Sequence, residues 1–209
     1  MSESFWDKYA TEFDAIYGTK NSVLNSLINK LFRKAMRQRF EKTVSNIPDE
    51  IVSVLDIGCG PGHYCVSLAK SGRREITGID SSEQMIQIAQ NYAVDMNLKE
   101  KVKFSLVDIY NFDPDRKYDY SIMMGFLEYF NDPDVIISKV VAITTKKIFI
   151  SLPVAGGLLG FQRKLRYRKR CYLKMYRYSD VEDLLIRAKV NSFSIERITR
   201  DFFITINLC

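Results

Sequence analysis

The sequence predicts a doubly wound α/β sheet that closes in an antiparallel hairpin, on three observations. Strand-like runs at 53–57, 75–79, 102–107, 118–123 and 147–152 alternate with helical stretches at 64–71, 82–96 and 133–144. Short strands separated by helices of this length form parallel βαβ units. The first strand runs into V-L-D-I-G-C-G-P-G at 54–62, with Gly58, Gly60 and Gly62 at alternate positions and a helical pattern directly after. Glycines between a strand and a helix bring bare backbone close to a ligand, because no Cβ holds it off. At the far end, strands at 192–199 and 201–207 are split by Arg200 alone. A parallel return needs a crossover of about a dozen residues, so these two must be antiparallel.

The elements outside that alternation are helical. Residues 4–17 put Phe5, Tyr9, Phe13, Ile16 and Tyr17 at helical spacing, and Gly18 ends the run. Such a segment either packs on the body by its aromatic face or covers a ligand as a lid. Residues 22–44 carry Leu24, Leu27, Ile28, Leu31 and Ala35 on one side and cations on the other, with Pro48 as the stop. A last helix is expected at 178–188, ahead of the hairpin. The 209 residues are read as one domain, with 1–48 as helical lid and first helices, and 153–178 as a basic insert after the fifth strand.

A chain of this length buries about 70% of its unfolded surface and needs no metal or disulfide to hold together. At 46% hydrophobic and 27% charged residues it is not extensively disordered. Its first residues are acidic and aromatic, unlike a secretion signal, and no apolar run reaches the ~20 residues of a membrane helix. Cys59, Cys65, Cys171 and Cys209 form no C-x-x-C pair, and the single His63 cannot complete a zinc set. No metal is expected, and scattered thiols fit a reducing cytoplasm. The net charge of +6 is uneven: 163–177 carries +8, which leaves −2 for the rest, and 20–42 holds seven cations against Glu41. This is an acidic body with two basic segments.

A dinucleotide fits the glycine turn poorly. The position five after Gly58 is His63 where the G-x-G-x-x-G fingerprint needs its third glycine. Asp56 just ahead of the turn would also repel a pyrophosphate at the helix N-terminus. Two further acids, Asp80 in G-I-D and Asp108 in L-V-D-I, end the second and third strands. Ligands sit at the carboxyl ends of parallel strands, so the three acids converge on one crevice. A nucleoside that carries a cation and no phosphate suits them, with Asp80 accepting from ribose hydroxyls.

With V-L-D-I-G-C-G-P-G, G-I-D-S-S-E-Q-M, L-V-D-I and the closing strand pair, nearly the whole chain resembles the class I S-adenosylmethionine-dependent methyltransferases. The resemblance implies a Rossmann-like seven-stranded sheet and S-adenosylmethionine as cofactor, with S-adenosylhomocysteine as product. It also implies that Asp56, Gly58, Cys59 and Gly60 hold the methionine end, and that Asp80 binds the ribose. Ser81, Met85, Asp108 and Ile109 would border the adenine, with Met124 after the fourth strand. A Rossmann-like turn serving some other ligand is the alternative for the same glycines and acids.

The acceptor side is expected from the N-terminal lid, the loop after the fourth strand and the insert. The loop M-M-G-F-L-E-Y-F-N-D-P at 123–133, with F-D-A-I-Y-G at 13–18, is similar to the magnesium-protoporphyrin methyltransferase branch and related bacterial small-molecule enzymes. That branch implies catalytic roles for a tyrosine, here Tyr17, and for a loop histidine whose place Tyr129 takes. The departure argues against porphyrin specificity. Glu128 and Tyr129 are candidates for acceptor contact, as are Tyr9, Phe13 and Phe126. In the insert, Arg166, Arg168 and Arg170 could clamp an anionic acceptor, or simply form a solvated basic segment. The interleaved tyrosines allow RNA stacking, but no N-P-P-Y or D-P-P-Y follows the fourth strand, which speaks against a nucleic-acid acceptor. Docking on an anionic membrane surface through the two basic segments is a third reading. The expected function is methylation of a small, anionic or lipid-linked acceptor, oxygen favoured. A cofactor-binding protein without turnover, docked on membrane or RNA, is the alternative from another class.

Overall fold

A computed structural model describes residues 23–70, 72, 74–157, 160, 163 and 172–208, with side chains from residue 34 onward. The expected helix at 4–17, with Tyr9, Phe13 and Tyr17, lies outside the described residues, as do Arg166, Arg168 and Arg170. The elements are α1 (Val23–Ser45), β1 (Val52–Ile57), α2 (His63–Ala69), β2 (Arg74–Asp80), α3 (Glu83–Asp95), β3 (Val102–Leu106), β4 (Tyr118–Met124), α4 (Pro133–Ala142), β5 (Thr144–Pro153), α5 (Tyr178–Arg187), β6 (Phe193–Ile198) and β7 (Asp201–Asn207).

Seven strands form one sheet in the order β3-β2-β1-β4-β5-β7-β6. The first five are parallel, and β7 runs antiparallel between β5 and β6. Strand alternation explains the two cores. Leu55, Ile148, Ile150 and Ile204 face α4 and α5, with Ile136, Val181 and Leu184. Their neighbours Val54, Phe149 and Phe203 face the other way, with Val66 and Leu68 of α2. Each such fully buried side chain contributes about 1.5–3 kcal/mol of burial.

Most boundaries agree with the sequence expectation to within two residues, and the largest difference is at β5. The helix expected at 133–144 stops at Ala142, and β5 begins at Thr144 rather than at 147. Tyr118 N donates to Ile143 O at 2.8 Å, and Thr144 Oγ1 donates to Val140 O at 2.7 Å. The side chain of Thr144 thus closes the helix end while its backbone joins the sheet.

The order of strands reverses between β1 and β4, where α/β folds open a crevice at the strand carboxyl ends. Because β7 is antiparallel, its first residue reaches that same edge: Asp201 pairs with Pro153, the last residue of β5.

Candidate active site

A cavity of about 750 Å³ opens at this edge, within the range of small-molecule sites. The glycine turn forms its floor. Gly58, Gly60 and Gly62 all have positive φ, at 67°, 51° and 77°. A Cβ on Gly58 would lie 2.3 Å from Cδ2 of Phe126, so the turn and the β4–α4 loop fit only without a side chain there. Gly58→Ala is expected to cost roughly 1–2 kcal/mol from the left-handed backbone alone. A thermal melt should fall by about 2–8 °C, at roughly 2–4 °C per kcal/mol for this size; an unchanged melt contradicts the close approach.

The three acids converge as the sequence indicates. Asp56, Asp80 and Asp108 all line the cavity. Asp80 is not the cap of the following helix; Ser82 is, its Oγ accepting from Met85 N at 3.2 Å. Asp80 instead accepts from Gly60 N on Oδ2 and from Ser82 N on Oδ1, both at 2.9 Å. These bonds fix the carboxylate plane and use only part of a carboxylate's roughly four acceptor sites. Asp108 accepts from Tyr110 N at 2.9 Å, which locks the turn after β3. Asp56 is buried, and Cys65 Sγ donates to its Oδ2 at 3.3 Å. Burial pushes its carboxyl up to about 7; the Cys65 bond opposes the rise and the Asp80 charge adds to it. A buried acid so disposed favours a cationic ligand group. Cys59, Ser81, Met85, Ile109 and Met124 also line the cavity, so all ten expected cofactor positions share it.

Phe126, Glu128 and Tyr129 line the other end, where Phe126 and Phe130 pack with ring centroids 4.7 Å apart. Sequence reasoning missed the charged cluster beside them. Arg163 belongs to the basic stretch read as either an acceptor clamp or a solvated segment, and it is buried. Its Nη1 donates to Asp201 Oδ1 at 2.6 Å and its Nη2 to Glu128 Oε1 at 3.3 Å. Arg39 of α1 lies 3.7 Å from Asp201 Oδ2 and donates to Ser151 Oγ at 3.1 Å. Glu128 Oε2 is buried with no hydrogen-bond partner among the described residues. Burial raises its pKa, with Asp201 adding and Arg163 and Arg39 opposing. No local pattern marks Arg39, Arg163 and Asp201; only the strand order assembles them.

Residues 48–171, more than half the chain, match the family model described as a methyltransferase domain. The chain belongs to this methyltransferase family. The methyltransferase is 35% identical over 100 residues to the ubiquinone biosynthesis O-methyltransferase of Coxiella burnetii, a match covering 47% of this chain and 42% of that protein. The chain thus spans about two fifths of that relative's length. It is 29% identical over 171 residues to the magnesium-protoporphyrin O-methyltransferase of Rhodobacter capsulatus, covering 78% of this chain and 74% of that one. The crystal structure of magnesium protoporphyrin IX methyltransferase from Synechocystis PCC 6803 with bound SAH superposes with a TM-score of 0.75. That match has 21% identity and covers 99% of this chain and 100% of that one. The seven-stranded Rossmann-like methyltransferase fold is therefore the one the sequence resembles.

Proposed function

We propose that the chain is an S-adenosylmethionine-dependent methyltransferase acting on oxygen of a small acceptor. The observation that supports it best is the convergence of Asp56, Asp80 and Asp108 on one cavity floored by a positive-φ glycine turn. The residues fit the cofactor: the buried Asp56 suits its cationic methionine end, the anchored Asp80 its ribose hydroxyls, and Asp108 with Ile109, Ser81 and Met85 its adenine. When bound, S-adenosylmethionine supplies an electrophilic methyl on a sulfonium. The protein's share is then to align the acceptor oxygen at about 3–3.5 Å and to take its proton. Glu128 and Tyr129 border the acceptor space, with Tyr17 assigned the same side by resemblance. Phe126 lines this space with an apolar ring, and Tyr9 and Phe13 are assigned to the same side from the sequence alone.

The O-methyltransferase names of the Coxiella and Rhodobacter relatives support oxygen. An anionic or lipid-linked part of the acceptor would meet Arg166, Arg168 and Arg170, which follow Arg163 in the insert. Docking of the basic segments on an anionic membrane would serve such an acceptor. The face of α1 is less available for this than its composition indicates, since Arg39 enters the site and Lys42 pairs with Glu196 at 2.7 Å. Among the described residues no helix is long and apolar enough to cross a membrane.

The test is calorimetric titration with S-adenosylhomocysteine across pH. Asp56 faces Cys65, Cys59 and Asp80, and burial pushes its carboxyl up to about 7. A cationic ligand group binds the ionised form, so below this value binding must first expel a proton. Affinity is expected to be about tenfold weaker at pH 6 than at pH 8. A flat profile sinks the Asp56 role, and no binding at either pH sinks the proposed function.

A further inference from the structure

We propose that the acceptor presents an un-ionised hydroxyl, not a carboxylate, to the buried cluster, with Glu128 receiving its hydrogen bond and Arg163 positioning Glu128. This rests on the methyltransferase reading and names the chemical class that the reading leaves open. Three observations carry it.

The first is the orphaned oxygen. Arg163 holds Glu128 Oε1, while Oε2 is buried without a hydrogen-bond partner among the described residues. A carboxylate oxygen only accepts, so what satisfies it must donate. A hydroxyl does so; an ionised carboxylate cannot.

The second is charge. Among the described residues, six carboxylates line the cavity (Asp56, Asp80, Asp108, Glu128, Asp132 and Asp201) against two guanidiniums, those of Arg39 and Arg163. Both cations are already engaged: Arg163 by Asp201 and Glu128, Arg39 by Asp201 and Ser151. An anionic reacting group would enter next to Glu128 with no uncommitted guanidinium among the described cavity residues, and juxtaposed like charges cost several kcal/mol.

The third is the anchoring. Glu128 sits in a one-turn 3-10 segment, Leu127–Tyr129, after β4. Its carbonyl accepts from Lys174 N at 2.9 Å, at the point where the insert returns toward β5. Arg163 ties the side chain from the same insert. Glu128 is thus held at both backbone and carboxylate, as a group must be that meets a substrate in one orientation.

The step balances. The acceptor O–H bond breaks and its proton goes to Glu128 Oε2. An O–CH₃ bond forms as the S–CH₃ bond breaks, its electron pair staying on sulfur. The sulfonium's positive charge ends as the proton that neutralises Glu128, which then releases it to water. Arg163, Arg39, Asp201 and Tyr176 set the field at Glu128. The two arginines favour its ionised form and Asp201 opposes it, while Tyr176 is held neutral by burial and by Glu128 itself.

The test uses two probes of one shape, phenol and benzoate, observed by saturation-transfer NMR on protein loaded with S-adenosylhomocysteine. Phenol is expected to bind at least about tenfold more tightly than benzoate at pH 8. Glu128→Gln, which removes the negative charge and leaves Arg163 partly uncompensated, should swing the preference toward benzoate. Arg163→Met should move the pH midpoint of phenol binding upward, because a cation that favours ionised Glu128 is lost; Arg163→Lys should bring it back. Equal binding of the two probes, no phenol signal, or a preference unmoved in Glu128→Gln overturns the proposal. Calorimetry with S-adenosylhomocysteine on the same samples separates the readings. Intact cofactor binding with a failed probe result overturns the acceptor class alone, and absent cofactor binding overturns the methyltransferase reading beneath it.

Discussion

Asp80→Ala is expected to weaken S-adenosylhomocysteine binding by a hundred- to a thousandfold while the protein stays folded. Hydrogen bonds to a charged group contribute about 1.5–3 kcal/mol each, and two ribose hydroxyls on one carboxylate make roughly 3–4 kcal/mol once non-additivity is allowed for. The substitution also frees Gly60 N and Ser82 N, which Asp80 holds at 2.9 Å. The turn then loses one of its ties to the end of β2 and keeps those of Gly58 N and Cys59 N to Ile79 O. Asp80→Asn keeps an acceptor but not the charge, and should lose about tenfold. Calorimetry reads both. Unchanged affinity in Asp80→Ala removes the ribose role from this residue.

Asp201→Ala should produce the largest loss of stability. Asp201 is 4% exposed and bridges two guanidiniums, Arg163 at 2.6 Å and Arg39 at 3.7 Å. Removing one partner of a buried ion pair leaves charge uncompensated and costs roughly 3–5 kcal/mol. At about 2–4 °C per kcal/mol for a chain of this size, the melting temperature should fall by roughly 6–20 °C. S-adenosylhomocysteine affinity below that melt should change little, since Asp56, Asp80 and Asp108 sit on the other strands. Pairing Asp201→Leu with Arg163→Met should recover part of the loss, because an apolar replacement of a whole buried pair is close to neutral. A melt that does not move shows the cluster to be solvated.

The cofactor end of the site is legible in the sequence and the acceptor end is not, for a physical reason. Asp56, Gly58, Gly60, Asp80 and Asp108 lie on or just after consecutive strands of βαβ units, whose handed, local connections force their carboxyl ends to one edge. Spacing alone therefore locates them. Glu128 could be nominated from its loop, but its partner Arg163 could not, since a run of basic residues fits a clamp and a solvated stretch equally. Asp201 reads from sequence as the residue after a hairpin turn. Its place depends on β7 pairing with β5 instead of continuing outward from β6, a choice of partner that no short pattern encodes. The start of β5 is hidden in the sequence for the opposite reason: Thr144 serves helix and strand at once.

The antiparallel seventh strand also sets a temporal order. The half built on β1 to β3, with α2 and α3, is made of neighbours in sequence. The acceptor half closes only when β7 slots in beside β5 and Thr199 bonds Gln38 across 161 residues of chain. Long loops are closed late, after local units have formed. The β1–β3 half is therefore expected to form before the β5–β7 pairing that assembles the Glu128–Arg163–Asp201 cluster.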